Sequence, residues 1–281
     1  MNVENKAMRR NHQKLVVITG CDTGIGRSLA AIMAARGFTV VISYLDKNPF
    51  ENESGILAFR MDMRKPEETI AFTEFVKELC GGGMRLDAFV SNAGVALGGP
   101  VENIPMSLMR ECFEIDFFGA VRIIHELLPD IIKAKGRIVV NGSLAGRIAM
   151  PFMSPYTASK FALEGYCDSL RREMMPYGVK VVLLEPSAVA TPIWNKAKEQ
   201  DISFVDEKYM KSLFLFRDNF IEGGNGGLDT EKAAQQISGI LDLDAPKARY
   251  IIAKQPIRSK ILTLLPSWLI DRAVAKMFDL K

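Results

Sequence analysis

Leu15-Val16-Val17-Ile18-Thr19-Gly20-Cys21-Asp22-Thr23-Gly24-Ile25-Gly26 is a short β-branched run that gives way to three closely spaced glycines. From residue 25 to residue 36 apolar side chains recur at helical spacing, so the segment reads as strand, glycine turn and helix. Glycine lets the backbone come close to a pyrophosphate, and the helix start behind it offers unpaired N–H groups and the positive end of a dipole. Glycines occur in many tight turns between strand and helix, so the spacing alone is a weak signal; its place after the first strand gives it weight.

The same grammar continues along the chain. Val40-Val41-Ile42 is a continuous apolar run, as a strand buried on both faces of a parallel sheet requires. Residues 57–61 read as strand, 67–79 as helix, 86–90 as strand, 107–132 as one long helix around Pro129, and 137–140 as strand. Residues 155–174 read as helix, 179–184 as a sixth, wholly apolar strand, and a further helix after Thr230 leads to a last strand at 248–252. With right-handed crossovers this predicts an α/β fold, a three-layer doubly wound parallel sheet of Rossmann type, in one domain over residues 14–255.

Residues 1–13 are polar and read as a flexible lead-in, and residues 256–281 as a C-terminal amphipathic extension. The stretch 191–227, closed by Gly223-Gly224-Asn225-Gly226-Gly227, reads as a mobile helical insert: a lid over a substrate, or a plain surface excursion.

A chain of 281 residues, 48% of them hydrophobic, can bury a sizeable core. Its 36 basic and 33 acidic side chains leave a net charge of +3, which supplies no field for nucleic acid. Cys21, Cys80, Cys112 and Cys167 are scattered, with no CxxC pair, which argues against a disulfide frame or a thiolate zinc site and for a reducing, cytoplasmic compartment. His12 and His125 stand far apart, so no metal is expected. The polar start and the lack of a long apolar stretch lead us to expect no signal peptide and no membrane span.

Tyr156-Thr157-Ala158-Ser159-Lys160 places a phenol and an ammonium one helical turn apart on one face. A solvated Tyr/Lys pair is the ordinary reading. The chemical one is that a nearby lysine charge lowers the phenol's pKa, so that Tyr156 exchanges a proton closer to neutral pH. Asn141-Gly142-Ser143 ends the fifth strand at the carboxyl edge, where open α/β sheets bind ligands and where Ser143 can donate to a substrate oxygen.

Together the glycine turn, Ser91-Asn92-Ala93-Gly94, Ser143 and the Tyr156-to-Lys160 motif make the chain, over about residues 14–191, resemble the short-chain dehydrogenase/reductase family. Thr19-Gly20-Cys21-Asp22, Leu127-Leu128-Pro129-Asp130, Lys135-Gly136-Arg137-Ile138-Val139 and Ser159-Lys160-Phe161-Ala162-Leu163-Glu164-Gly165 resemble its branch of 17β-hydroxysteroid, retinol and 3-hydroxybutyrate dehydrogenases. The resemblance implies an NAD- or NADP-dependent oxidoreductase interconverting an alcohol and a ketone or aldehyde. In it Tyr156 is the proton donor or acceptor, Lys160 lowers its pKa and holds the nicotinamide ribose, and Ser143 orients the substrate oxygen. It also implies a cofactor cleft of Gly20, Asp22, Thr23, Gly24, Ile25, Gly26, Tyr44, Leu45, Asp62, Met63, Asn92, Ala93, Gly94, Pro186, Val189 and Thr191, with Asp62 toward the adenine and Val189 and Thr191 near the nicotinamide amide. Homodimers or homotetramers through the helices at 107–132 and 155–174 are implied likewise.

Two positions depart from the family pattern. Asp116 stands where the family has an asparagine that supports a water linked to the lysine; its charge is expected to raise the Lys160 pKa and alter the proton relay, which adds Asp116 to the catalytic set. Pro186-Ser187 replaces Pro-Gly, so serine is expected to make a turn that normally uses glycine's freedom. The end of the second strand, Ser43-Tyr44-Leu45, carries neither the acid that marks NAD nor the base that marks NADP. Asp46 lies slightly late, and with no arginine in the glycine turn the balance tilts toward NAD. The rival reading is a dinucleotide-sensing binding protein in which Asp116 has ended turnover.

The substrate pocket is expected at 144–151 and in the 191–227 insert, with Phe152, Trp194 and Phe204 nearby, and its apolar character admits lipophilic substrates. Leu269, Ile270, Ala273, Val274, Met277 and Phe278 mark an amphipathic C-terminal helix. It can lie on a membrane surface, cover the pocket, or pack against its own domain or a second subunit.

Overall fold

The computed structural model describes residues 13–280; the expected lead-in, but for its last residue, lies outside the described residues. Seven strands form one parallel sheet in the order β3-β2-β1-β4-β5-β6-β7. They are β1 (Lys14–Ile18), β2 (Thr39–Tyr44), β3 (Ile56–Arg60), β4 (Arg85–Ser91), β5 (Arg137–Asn141), β6 (Lys180–Pro186) and β7 (Arg249–Ile252). The helices are α1 (Gly24–Ala35), α2 (Pro66–Gly81), α3 (Met106–Phe113), α4 (Gly119–Ala134), α5 (Ser154–Met174), α6 (Ile193–Glu199), α7 (Glu207–Asn225), α8 (Thr230–Asp242), α9 (Pro256–Leu262) and α10 (Ser267–Met277).

Side chains alternate across the strands, and that parity divides the core into two layers. Val16, Ile18, Val40, Ile42 and Val90 pack with Leu29 and Met33 of α1 and with Ala234 and Ile237 of α8. Leu15, Val17, Val41, Phe89 and Val140 pack on the other face with Phe72 of α2, Ile123 and Leu127 of α4, and Leu163 of α5. Both faces are therefore covered, which is why these strands carry almost nothing but apolar residues. The strand order reverses between β1 and β4, and the carboxyl ends of those two strands open a crevice there.

Three local features differ from the sequence reading. The single helix expected over 107–132 is α3 and α4 joined by a π-helical turn, Glu114–Phe118. Such a turn inserts one extra residue and re-aims the side chains around it; here it buries Asp116, which is 1% exposed. The glycine run that reads as the loose end of an insert is partly helical, since Gly223 and Gly224 lie in the last turn of α7. Gly224 is there for close approach: a Cβ at that position would come within 2.2 Å of the Trp194 ring. Ser187 is not among the residues with positive φ, so its turn needs no glycine; its N–H donates to the Ile252 carbonyl at 3.0 Å.

The four cysteines are free, and no helix among the described residues is long and apolar enough to cross a membrane.

Candidate functional site at the carboxyl edge of the sheet

The turn after β1 and the turn after β4 are tied together at the crevice. The Thr19 hydroxyl accepts the backbone N–H groups of Asn92 at 2.9 Å and Ala93 at 3.1 Å. The Asn92 amide donates back to the carbonyls of Thr19 and Gly20 at 2.9 and 3.0 Å. Gly20 has φ +68°, and a Cβ on it would sit 2.6 Å from the Ala93 backbone, so both the conformation and the approach exclude a side chain. Thr23 precedes α1 without a side-chain capping bond, and the first turn of α1 holds no acid. Its N–H groups are left to the crevice, a fit for a pyrophosphate.

At the end of β2 the Asp22 carboxylate takes over the loop. Its Oδ1 accepts the backbone N–H groups of Leu45 at 3.0 Å, Asp46 at 2.8 Å and Lys47 at 3.3 Å, and its Oδ2 accepts Leu45 again at 3.1 Å. Successive N–H groups turned inward make an anion-binding nest, and here the protein's own carboxylate fills it. Asp46, also on the cleft wall, is paired with Lys196 at 3.4 Å. Asp62 lies on the cleft wall with its carboxylate held by Arg64, whose hydrogen bonds keep that carboxyl below the usual range.

Ser143, Tyr156 and Lys160 meet on the same wall. The Ser143 hydroxyl follows β5, accepts the Ala145 N–H at 3.1 Å and stands near enough to the Tyr156 phenol to draw its pKa down. Lys160, one turn along α5, has its ammonium 5.4 Å from the centre of the Tyr156 ring, 3.8 Å from Asp116 Oδ2 and 3.5 Å from the Asn141 carbonyl. Asp116 lies behind the wall. Its Oδ1 accepts the Val95 N–H at 2.9 Å, and its Oδ2 lies 3.1 Å from the Ser159 hydroxyl and 3.7 Å from Cys112 Sγ.

The electrostatics correct one expectation and support another. Tyr156 titrates above, not below, the ordinary tyrosine value: enclosure of the phenol pushes it up, Lys160 and Ser143 pull it down, and Asp116 adds an upward push. Lysine alone does not set the sign, because an enclosed phenolate loses more solvation than one buried, carboxylate-paired ammonium returns. For Lys160, burial works downward but Asp116 and Tyr156 outweigh it, so its pKa is raised, as the aspartate substitution implies. Asp116 is raised by burial against the pull of Lys160 and the Val95 N–H.

These groups line one cleft of about 840 Å³. Gly20, Asp22, Thr23, Gly24, Ile25, Tyr44, Leu45, Asp62, Met63, Asn92, Ala93, Gly94, Pro186, Val189 and Thr191 are all on its wall. Gly26 and Asp116 are not; Gly26 stands behind the turn against Asn92 and the Gly20 carbonyl. Of the pocket expected at 144–151, Leu144, Ala145, Ile148 and Met150 line the cleft, as does Trp194, whereas Phe152 and Phe204 do not. Phe152 is buried in a separate cluster with Met153 and Phe216, and Phe204 packs over Gly99. Sequence reasoning passed over the Asn141 carbonyl, the Thr19 hydroxyl and Ser159. Each acts through a fold-dependent contact, and only the need of a buried ammonium for acceptors hinted at the first.

A family model described as short chain dehydrogenase matches residues 14–202. The chain is 32% identical over 279 residues to an NADPH-dependent 3-dehydrocapnine reductase of Ornithobacterium rhinotracheale, covering 95% of this chain and 98% of that one. It is 30% identical over 275 residues to an NADPH-dependent 1-acyldihydroxyacetone phosphate reductase of Saccharomyces cerevisiae, covering 95% and 92%. Its fold is similar to that of a short chain dehydrogenase/reductase from Burkholderia phymatum solved in complex with NAD, with a TM-score of 0.76, 21% identity and coverage of 92% and 95%.

Proposed function

We propose that this chain, which belongs to the short-chain dehydrogenase/reductase family, uses a nicotinamide dinucleotide to interconvert an alcohol and a ketone or aldehyde of a lipophilic substrate, with Tyr156 as its acid and base. One observation carries the reading: the hydroxyl of Ser143, the phenol of Tyr156 and the ammonium of Lys160 converge on the cleft that also holds the glycine turn. When bound, the dinucleotide supplies or takes the hydride. Tyr156 Oη gives its proton to the substrate oxygen in reduction and accepts one in oxidation, Ser143 holds that oxygen, and Lys160 steadies charge on the phenol. Leu144, Ile148, Met150, Trp194 and Phe220 give the substrate an apolar wall, and residues 191–227 act as its lid. A cytoplasmic homo-oligomer fits the free cysteines and the exposed Phe118 and Phe161 of the helices named above.

The protein supplied with NADH and a panel of ketones and aldehydes tests this. Reduction of an apolar member supports the reading; NADH binding without reduction of any member supports a sensor.

Because Tyr156 is held protonated at neutral pH, reduction runs there and oxidation of the alcohol climbs as the pH rises toward the phenol's value. Asp116 is one of the groups raising that value. An asparagine keeps the acceptor for Val95 and offers Ser159 a donor, while Lys160 loses the carboxylate that lifts its pKa against burial. Asp116→Asn is therefore expected to preserve or raise activity and to move the rising limb of the oxidation profile to lower pH; an unmoved limb removes Asp116 from the proton chemistry.

The preference for NAD rests on Asp22. A 2′-phosphate at the end of β2 meets a carboxylate where an anion would need the N–H groups of residues 45–47, and the cations on that part of the wall, Lys196 and Arg64, are engaged by Asp46 and by Asp62 and Glu111. Asp22→Asn keeps an acceptor for the loop and removes the charge. It is expected to raise the NADPH-to-NADH ratio of kcat/KM about tenfold, the effect of roughly 1.4 kcal/mol. A ratio that stays put assigns the choice elsewhere.

A further inference from the structure

Beyond β7 the chain turns through α9 and α10, and the two helices present apolar residues on two sides. Leu262, Leu265, Leu269, Ile270, Val274 and Met277 face the cleft. A different set does not line it and stands in solvent: Ile257 is 76% exposed, Leu264 71%, Trp268 63% and Ile261 55%. Aliphatic and indole side chains gathered this way on one short segment mark a surface that is covered in use.

Charge identifies the cover. Residues 254–280 carry Lys254, Arg258, Lys260, Arg272 and Lys276 against two carboxylates, Asp271 and Asp279, and Asp279 is already paired with Lys211. Among the described residues none of the five cations is in an ion pair. A second copy docked symmetrically here would set these cations against their own duplicates, which disfavours it. An anionic bilayer satisfies both features: its headgroups take the cations while the tryptophan and aliphatic side chains enter the acyl boundary.

The cleft explains why such a contact is useful. Leu262, Leu265, Leu269 and Met277 line it and are each more than a third exposed, so its apolar arm reaches the surface beside the outward set. We infer that α9 and α10 dock on an anionic phospholipid surface and open the substrate arm of the cleft toward the bilayer, so that an apolar substrate passes from lipid to Tyr156 without crossing water. This rests on the reading of the cleft as a substrate site.

Flotation of the full chain with phosphatidylcholine vesicles, with and without phosphatidylserine, tests it. Recruitment is expected to require phosphatidylserine and to weaken with salt, and lipid brominated on its acyl chains is expected to quench Trp268, the quenching disappearing in Trp268→Phe. Replacing Lys254, Lys260 and Lys276 together by Gln should weaken recruitment roughly 100-fold, at about 1 kcal/mol for each cation. Ile257→Asp with Leu264→Asp should abolish it while NADH binding and the melting temperature stay put, since both side chains lie outside the cleft and the core. No recruitment, recruitment indifferent to these changes, or self-association lost in the aspartate variant instead would each overturn the docking. NADH binding and ketone reduction on the same preparation report separately on the enzyme reading, so a failure of either is seen for what it is.

Discussion

Tyr156→Phe is expected to cut turnover by roughly 10³-fold in both directions, within the 10² to 10⁴ that a positioned acid or base contributes, while NADH affinity stays within a few-fold. The substitution removes one oxygen and keeps the ring, so the packing of Tyr156 against the apolar cluster of Phe152, Met153 and Phe216, and the face it offers to Lys160, remain. No neighbour inherits the role. The Ser143 hydroxyl already accepts the Ala145 N–H, and the Lys160 ammonium is held by Asp116 and the Asn141 carbonyl behind the ring. Single-turnover reduction with bound NADH separates chemistry from binding. Full activity in that variant removes the phenol from the mechanism.

Much of the architecture was legible because its causes are local. The continuous apolar runs of β1, β2, β5 and β6 leave only a sheet covered on both faces, and the i, i+4 spacing of Tyr156 and Lys160 puts them on one side of α5 wherever that helix lies. What escaped depends on contacts between distant segments. Asp22 reads as one more residue of a glycine turn until β2 ends beside it and offers three N–H groups. Gly224 reads as slack until the Trp194 ring lies against it. The π-helical turn at Glu114–Phe118 escaped because one extra residue turns the phase by about 100°, no more than the width of an apolar stripe, and α3 before it is only about two turns long. The sign of the Tyr156 shift escaped for a related reason: spacing reveals the lysine beside it but not how far the phenol is withdrawn from water.

Lys160→Met is expected to cost about 3–5 kcal/mol of stability at neutral pH, because it leaves a buried carboxylate without its cation. The side chains of Lys160 and Asp116 are 5% and 0% exposed, so little solvent screens the loss. With the ammonium gone, the pull that opposes burial at Asp116 disappears and its folded-state pKa climbs further above the unfolded value of about 3.9. The sign follows. A carboxyl whose folded pKa is raised favours folding fully below its unfolded pKa, and that support drains away as pH rises through the folded one. The variant is thus least impaired in mild acid, and its deficit deepens toward pH 8. Adding Asp116→Asn removes the titrating group, so Lys160→Met/Asp116→Asn recovers most of the stability at pH 8 and less at pH 5. Urea unfolding of the single and double variants at those two pH values measures the gap between them. An equal gap at both would mean that Asp116 carries no charge to be paired, and that Lys160 is held in place by the Asn141 carbonyl and by packing alone.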